Sequence, residues 1–118
     1  MLRGLVAVAF VCGPLTGCHS YRVDASVENR TGSDVELLEV DYPSASIGVE
    51  SLAAGGSYHY GFQVRGDGPI KVQYTETAGH QFWQKTGPEI FERQEGRIEI
   101  VLLPGGKADF RPMLSPHR

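Results

Sequence analysis

From residue 23 onward, apolar and polar positions alternate in short runs with a period of two. Val23, Ala25 and Val27 interleave with Asp24, Ser26 and Glu28, as in a strand with one face in a core and the other in water. Asn29-Arg30-Thr31-Gly32-Ser33-Asp34 then supplies turn chemistry. The next run changes phase, from Val35 and Leu37 to Leu38, Val40 and Tyr42. A β-bulge, or a strand covered on both faces, would produce that slip. Pro43 ends the run; Ile47, Val49 and Leu52 make a third, turned by Ala53-Ala54-Gly55-Gly56. The fourth is the clearest, with Tyr58, Tyr60, Phe62 and Val64 expected inward and His59, Gly61 and Gln63 outward. Arg65-Gly66-Asp67-Gly68 is a tight reversal containing the Asp-Gly pair that hairpins favour. Ile70, Val72 and Tyr74 mark the fifth strand. Phe82-Trp83 opens an irregular sixth segment after Thr77-Ala78-Gly79-His80, broken at Gly87-Pro88. Ile98, Ile100 and Leu102 form the seventh, and Ala108 with Phe110 a last short pairing after Pro104-Gly105-Gly106. Beyond Pro112 the tail is expected to fray.

Alternation with one polar face favours antiparallel pairing. About seven to eight short strands, starting about every ten to sixteen residues, predict an all-β, antiparallel immunoglobulin-like β-sandwich. A lipocalin-like barrel usually needs more chain. Fifteen glycines and seven prolines in turn-like clusters point away from helices, and no long window after Cys18 carries a helical apolar stripe. Tyr60, Phe62, Val72, Ile98 and Ile100 are the expected core.

The N-terminus follows another rule. Met1, Leu2 and Arg3 precede a charge-free stretch whose apolar core runs from Leu5 to Val11, and Gly13 and Pro14 lead into Leu15-Thr16-Gly17-Cys18. The run from Leu5 to Leu15 is about half of the ~18–20 residues a membrane-spanning helix requires. A charged head, a short greasy middle and a small-residue exit suit a secretory signal. Leu15-Thr16-Gly17-Cys18 resembles the lipobox of bacterial lipoproteins at all four positions. That resemblance implies cleavage after residue 17 and a diacylglyceryl group on the Cys18 sulfur, with the new amine often acylated too. Two or three acyl chains anchor stably where one binds only marginally. His19, where Asp would favour inner-membrane retention, implies an outer-membrane destination facing the periplasm. The expected organisation is a leader at 1–17, a lipidated tether at 18–20, a β-domain at 21–112 and a flexible tail at 113–118. Within that domain, Val27-Glu28-Asn29-Arg30-Thr31-Gly32, Leu52-Ala53-Ala54-Gly55-Gly56-Ser57 and Gly96-Arg97-Ile98-Glu99-Ile100 look similar to small exported β-domains of bacteria, without pointing to one family.

Processing of this kind changes the meaning of the composition. Cys12 would leave with the leader and Cys18 would carry lipid, so no intramolecular disulfide could form and the core alone would hold the domain. The formal charge of −3 becomes one unit more negative once Arg3 is removed. Acidity, with no basic cluster, argues against nucleic acid or an anionic membrane surface as partner.

Candidate chemistry is sparse. His59 and His80, with Asp67 or Glu76, could form a zinc site, but no close ligand spacing supports one, and solvent-facing histidines are the simpler account. Gly55-Gly56-Ser57-Tyr58 is not a nucleophile elbow, and no carboxylate pair is placed in an evident cleft. No catalytic residue and no cofactor are therefore expected. Arg65-Gly66-Asp67 spells an adhesion tripeptide, and Asn29-Arg30-Thr31 a glycosylation acceptor; turn chemistry explains the first, and a bacterial cell would leave the second silent. Recognition chemistry is richest between Gly79 and Pro88. His80, Phe82, Trp83 and Lys85 there, with Arg65 and Asp67 in the earlier turn, are the candidate binding residues. Adjacent in an extended strand, Phe82 and Trp83 face opposite ways, and a core plug is the simpler account of Trp83. The expected protein is a non-catalytic envelope module, membrane-bound through Cys18 and meeting another envelope protein. A periplasmic inhibitor of a protease or lysozyme is the first alternative, with a small hydrolase or metalloprotein behind it.

Overall fold

The computed structural model describes residues 21–116. The lipobox with Cys18, His19 and the last two residues lie outside the described residues. Eight strands form in chain order: β1 (Arg22–Asn29), β2 (Val35–Tyr42), β3 (Ala45–Leu52), β4 (Ser57–Gln63), β5 (Gly68–Glu76), β6 (Gln81–Ile90), β7 (Gly96–Leu103) and β8 (Lys107–Leu114). They make two four-stranded sheets, ordered β4-β1-β7-β8 and β3-β2-β5-β6. The sheets pack face to face as a β-sandwich.

The period-two pattern gives each sheet its inner face. Val23, Ala25 and Val27 of β1 lie beside Ile98 and Ile100 of β7, and all are buried. Val40 of β2 pairs with Val72 of β5 on the facing sheet. Complete burial of such side chains contributes about 1.5–3 kcal/mol each. The phase slip in β2 is a bulge: register shifts against β5 between Glu36 and Glu39. Leu37 takes φ +52° and stands 67% exposed, which returns Leu38, Val40 and Tyr42 to the inner side.

Three expectations need correction. Pairing is not wholly antiparallel, because β1 and β7 run parallel at the centre of their sheet, Ala25 beside Ile98. The outer face of this pair still carries Asp24, Ser26, Arg97 and Glu99, so polar alternation does not report strand direction. The sixth segment is one ten-residue strand rather than a broken one. Its irregularity at Gly87-Pro88 is a bulge, where register against β5 shifts between Pro69 and Lys71. Pro88 is accommodated because β6 ends its sheet, and an edge strand can spare a backbone donor. Finally, β8 runs through Pro112 to Leu114, with Met113 opposite Arg97 and Leu114 opposite Gly96. Met113 and Leu114 therefore belong to the sheet rather than to a tail, and Pro112 again sits on an edge.

The strands define two ends. Chain entry at Arg22, the Pro43–Ser44 turn and the loops at 64–67 and 91–95 share one end; the loops at 30–34, 53–56, 77–80 and 104–106 share the other.

Candidate functional site

Asn29 organises the far end. It closes β1, fully buried, and every polar atom of its side chain is engaged. Nδ2 donates to the carbonyls of Ser33 (2.8 Å) and Leu52 (3.0 Å). Oδ1 accepts from the Thr31 amide (3.0 Å) and the Thr31 hydroxyl (2.7 Å). Its backbone N–H donates to Gly56 and its carbonyl accepts from Gly55. The two turns that stand apart in sequence are thus one buried knot, and the Asn29 amide that a glycan would need is committed to the fold. An unsatisfied polar group here would cost about 1–3 kcal/mol, which is why Asn and Thr occupy these positions.

The segment from His80 to Lys85 divides by face. Trp83 points inward from β6, opposite Tyr74, and packs against the core. Its Nε1 donates to Glu76 Oε1 at 2.8 Å. A Cβ at Gly106 would overlap the Trp83 ring, so the indole lies on bare backbone of the loop between β7 and β8. Phe82 faces outward opposite Thr75, 52% exposed. Lys85 stands exposed across from Val72, and His80 caps the β5–β6 turn at φ +52°. Adjacent residues therefore split into a core residue and a surface one.

Arg65 and Asp67 occupy the entry end. β5 separates them from His80 by its nine residues, roughly 25–30 Å at strand rise, so the two candidate segments do not form one surface. Asp67 Oδ1 accepts from the Glu92 amide at 2.9 Å, and Arg65 Nη2 donates to Gln63 Oε1 at 2.7 Å. The tripeptide is pinned to the 91–95 loop by its own acid. A depression of about 310 Å³ beside it is lined by Tyr21, Gln63, Val64, Arg65, Glu92 and Arg93.

His59 projects from the outer face of β4 opposite Ser26, remote from His80. Glu76 is committed to Trp83, with the Ser33 hydroxyl 3.4 Å away. Among the described residues no three His, Cys, Asp or Glu side chains gather as a metal site.

Two features escaped the sequence reading. Tyr42 and Phe62 stack at 4.0 Å, Tyr60 and Phe62 lie 5.8 Å apart, and Tyr58 and Tyr60 6.0 Å apart. This aromatic row fills the side where β3 faces β4. The hydroxyls of Tyr60 and Tyr74 are buried without a hydrogen-bond partner. Burial first, then neighbouring Tyr42 and Tyr58, holds the Tyr60 phenol well above its ordinary pKa. Burial first, then nearby Glu76, pushes Tyr74 up to about 12. The second feature is acidic. Glu39 and Asp41 share the outer face of β2, and the hydrogen bond and like charge of Asp41 raise the Glu39 pKa. Only pairing reveals that Glu39 stands opposite Gly48.

No family model matches the chain, and no curated protein matches it. Its fold is similar to that of a protein from Eubacterium rectale solved by NMR, with a TM-score of 0.56, 13% sequence identity, and coverage of 76% of this chain and 86% of that one. At that identity the likeness concerns the fold alone.

Proposed function

We propose that this chain is a bacterial envelope lipoprotein whose β-sandwich, immunoglobulin-like in strand number and layering, is a non-catalytic binding or accessory module. The observation that carries the reading is Leu15-Thr16-Gly17-Cys18 at the end of a short apolar run behind Arg3. It is supported by the start of β1 at Arg22, which leaves only residues 19–21 between the proposed anchor and the domain. Such an anchor concentrates the domain beside a membrane-bound partner and makes weak intrinsic affinity sufficient. On this reading the Arg65–Asp67 end faces the bilayer, and the far end with Asn29 and His80 faces away. His19 after the lipidated cysteine supports an outer-membrane, periplasm-facing location.

Intact mass of the membrane-extracted protein tests the anchor. Loss of residues 1–17 with a gain of acyl mass is expected, and Cys18→Ala should abolish acylation and release the chain from the membrane fraction. An unmodified protein beginning at Met1 overturns the reading.

A further inference from the structure

We propose that the free edge of β3 accepts an extended, cationic segment of a partner protein as an added strand, with a lysine or arginine of that segment lying across Gly48 onto Glu39 and Asp41. The proposal rests on the binding-module reading above and names its surface and the chemistry of its partner.

The four edges of the sandwich are unequal. β6 carries Pro88 and Lys85, and β8 carries Pro112, Lys107 and Arg111; prolines and charges of this kind blunt an edge against pairing. β3 reads Ala-Ser-Ile-Gly-Val-Glu-Ser-Leu, with neither proline nor lysine, and ends its sheet. Tyr42 and Ala45 close a two-residue turn. Counting the alternation of antiparallel pairs from that closing pair directs the backbone N–H and C=O of Ser46, Gly48 and Glu50 away from β2. Those are the groups an added strand requires.

Charge selects the occupant. Glu39 is directly opposite Gly48, and Asp41 opposite Ser46, on the same outer face. Glu50 stands exposed at the edge itself. A Cβ at Gly48 would meet only the Leu38 carbonyl, at 3.9 Å, so the lane from the edge to the two carboxylates is open. The chain fills the equivalent lane on β4 itself. There Gly61 is opposite Asp24, and the Arg22 guanidinium lies over Gly61 while reaching Asp24 at 3.6 Å. An edge glycine, an acid opposite and a guanidinium above form one arrangement, complete at Gly61. At Gly48 the neighbouring cation is Lys71, opposite Asp41 on the β5 side, while Glu39 has Gln73 there, and the lane across the edge is left to a partner. The Asp41 hydrogen bond and like charge that raise the Glu39 pKa would give way to contacts with the partner's cation. On the inner face, half-buried Ile47 and Val49 suit apolar residues alternating with the partner's basic ones.

The test uses the full-length chain in neutral detergent and an acetylated peptide alternating valine and lysine, with a valine–glutamate peptide as control. The basic peptide should bind at least about tenfold more tightly than the acidic one, a difference near 1.4 kcal/mol, and should weaken as salt rises. Amide exchange at Ser46, Gly48 and Glu50 should slow on binding. Gly48→Pro removes an outward N–H and leaves the pairing to β2, so it should abolish binding. Glu39→Gln and Asp41→Asn, on the outer face of β2, should weaken binding without moving the melting temperature. Equal binding of both peptides, protection at β4, β6 or β8 instead, or indifference to Glu39→Gln overturns the proposal. So does a dimer in sedimentation that Gly48→Pro dissociates while the peptide fails to bind, since a second copy would then be the occupant. An envelope partner cross-linked to wild type and Gly48→Pro alike would leave the binding-module reading standing and remove this edge from it. A peptide seated on β3 of a chain that carries no lipid would do the reverse.

Discussion

Along the side where β6 faces β8, the sheets meet through glycine. The Trp83 ring occupies the space a Cβ of Gly106 would need, and Phe110 lies 2.5 Å from where a Cβ of Gly87 would stand. Along the side where β3 faces β4, Tyr42, Tyr58, Tyr60 and Phe62 fill the gap with rings in series. Close approach needs bare backbone and tolerates no added atom. Filling needs volume, and here it leaves the Tyr60 hydroxyl without a partner. One side should therefore be brittle toward small substitutions and the other forgiving. The brittle side also has the blunted edges, and the forgiving side has the open one.

The largest expected effect is at Gly106. Its φ of +74° already disfavours a side chain, and the indole blocks one. A left-handed penalty of about 1–2 kcal/mol and overpacking of about 1–3 kcal/mol combine in Gly106→Ala. A loss of about 3 kcal/mol is expected from urea denaturation, with altered Trp83 fluorescence. A variant within about 1 kcal/mol of wild type would break the comparison. Trp83→Ala, which empties the same contact and strands the Glu76 carboxylate, should cost a similar amount.

High pH probes tyrosines. An unfolded tyrosine titrates near 10, whereas Tyr74 is pushed up to about 12 and Tyr60 also lies higher in the fold. Below pH 10 neither state has lost the proton, so this contribution is fully present. As pH rises from about 10 toward 12 the unfolded chain ionises first, and stability should fall by up to about 1.4 kcal/mol per pH unit for each such tyrosine. Denaturation midpoints measured across that window check the slope, and Tyr60→Phe should make it shallower. At neutral pH the same substitution removes a partnerless hydroxyl and should be neutral or stabilising by up to about 1 kcal/mol. A loss above that range would mean the forgiving side is not forgiving. Phe82→Ala should be the mildest, within about 0.5 kcal/mol, because its ring projects from the outer face beside, but not into, the brittle contact.

Strand positions were legible because alternation is local. Residues 23–27 and 98–102 showed their inner faces directly, and the slip between Leu37 and Leu38 narrowed that run to a bulge or a doubly covered strand, of which the structure has the bulge. The parallel pairing of β1 with β7 was not legible, because it depends on where the chain re-enters the first sheet after crossing to the second. Phe82 and Trp83 were separable into opposite faces from sequence, but which one entered the core depended on Gly106, more than twenty residues away. Asp67 read as turn chemistry and proved to be a loop clamp, because its partner is the Glu92 amide of another connection.

By itself the sequence determined the all-β class, the number and faces of most strands, and the resemblance of residues 15–18 to a lipobox. These depend on neighbours within a few residues, where side-chain period and turn propensity act. Tertiary structure alone decided that one strand pair runs parallel, that Asn29 ties two turns into a knot, and that His80 and Arg65 lie at opposite ends. It also decided that a glycine stands opposite Glu39 on an open edge. Each is a juxtaposition across strands, and the energies that select it come from packing and hydrogen bonds between segments that are remote along the chain.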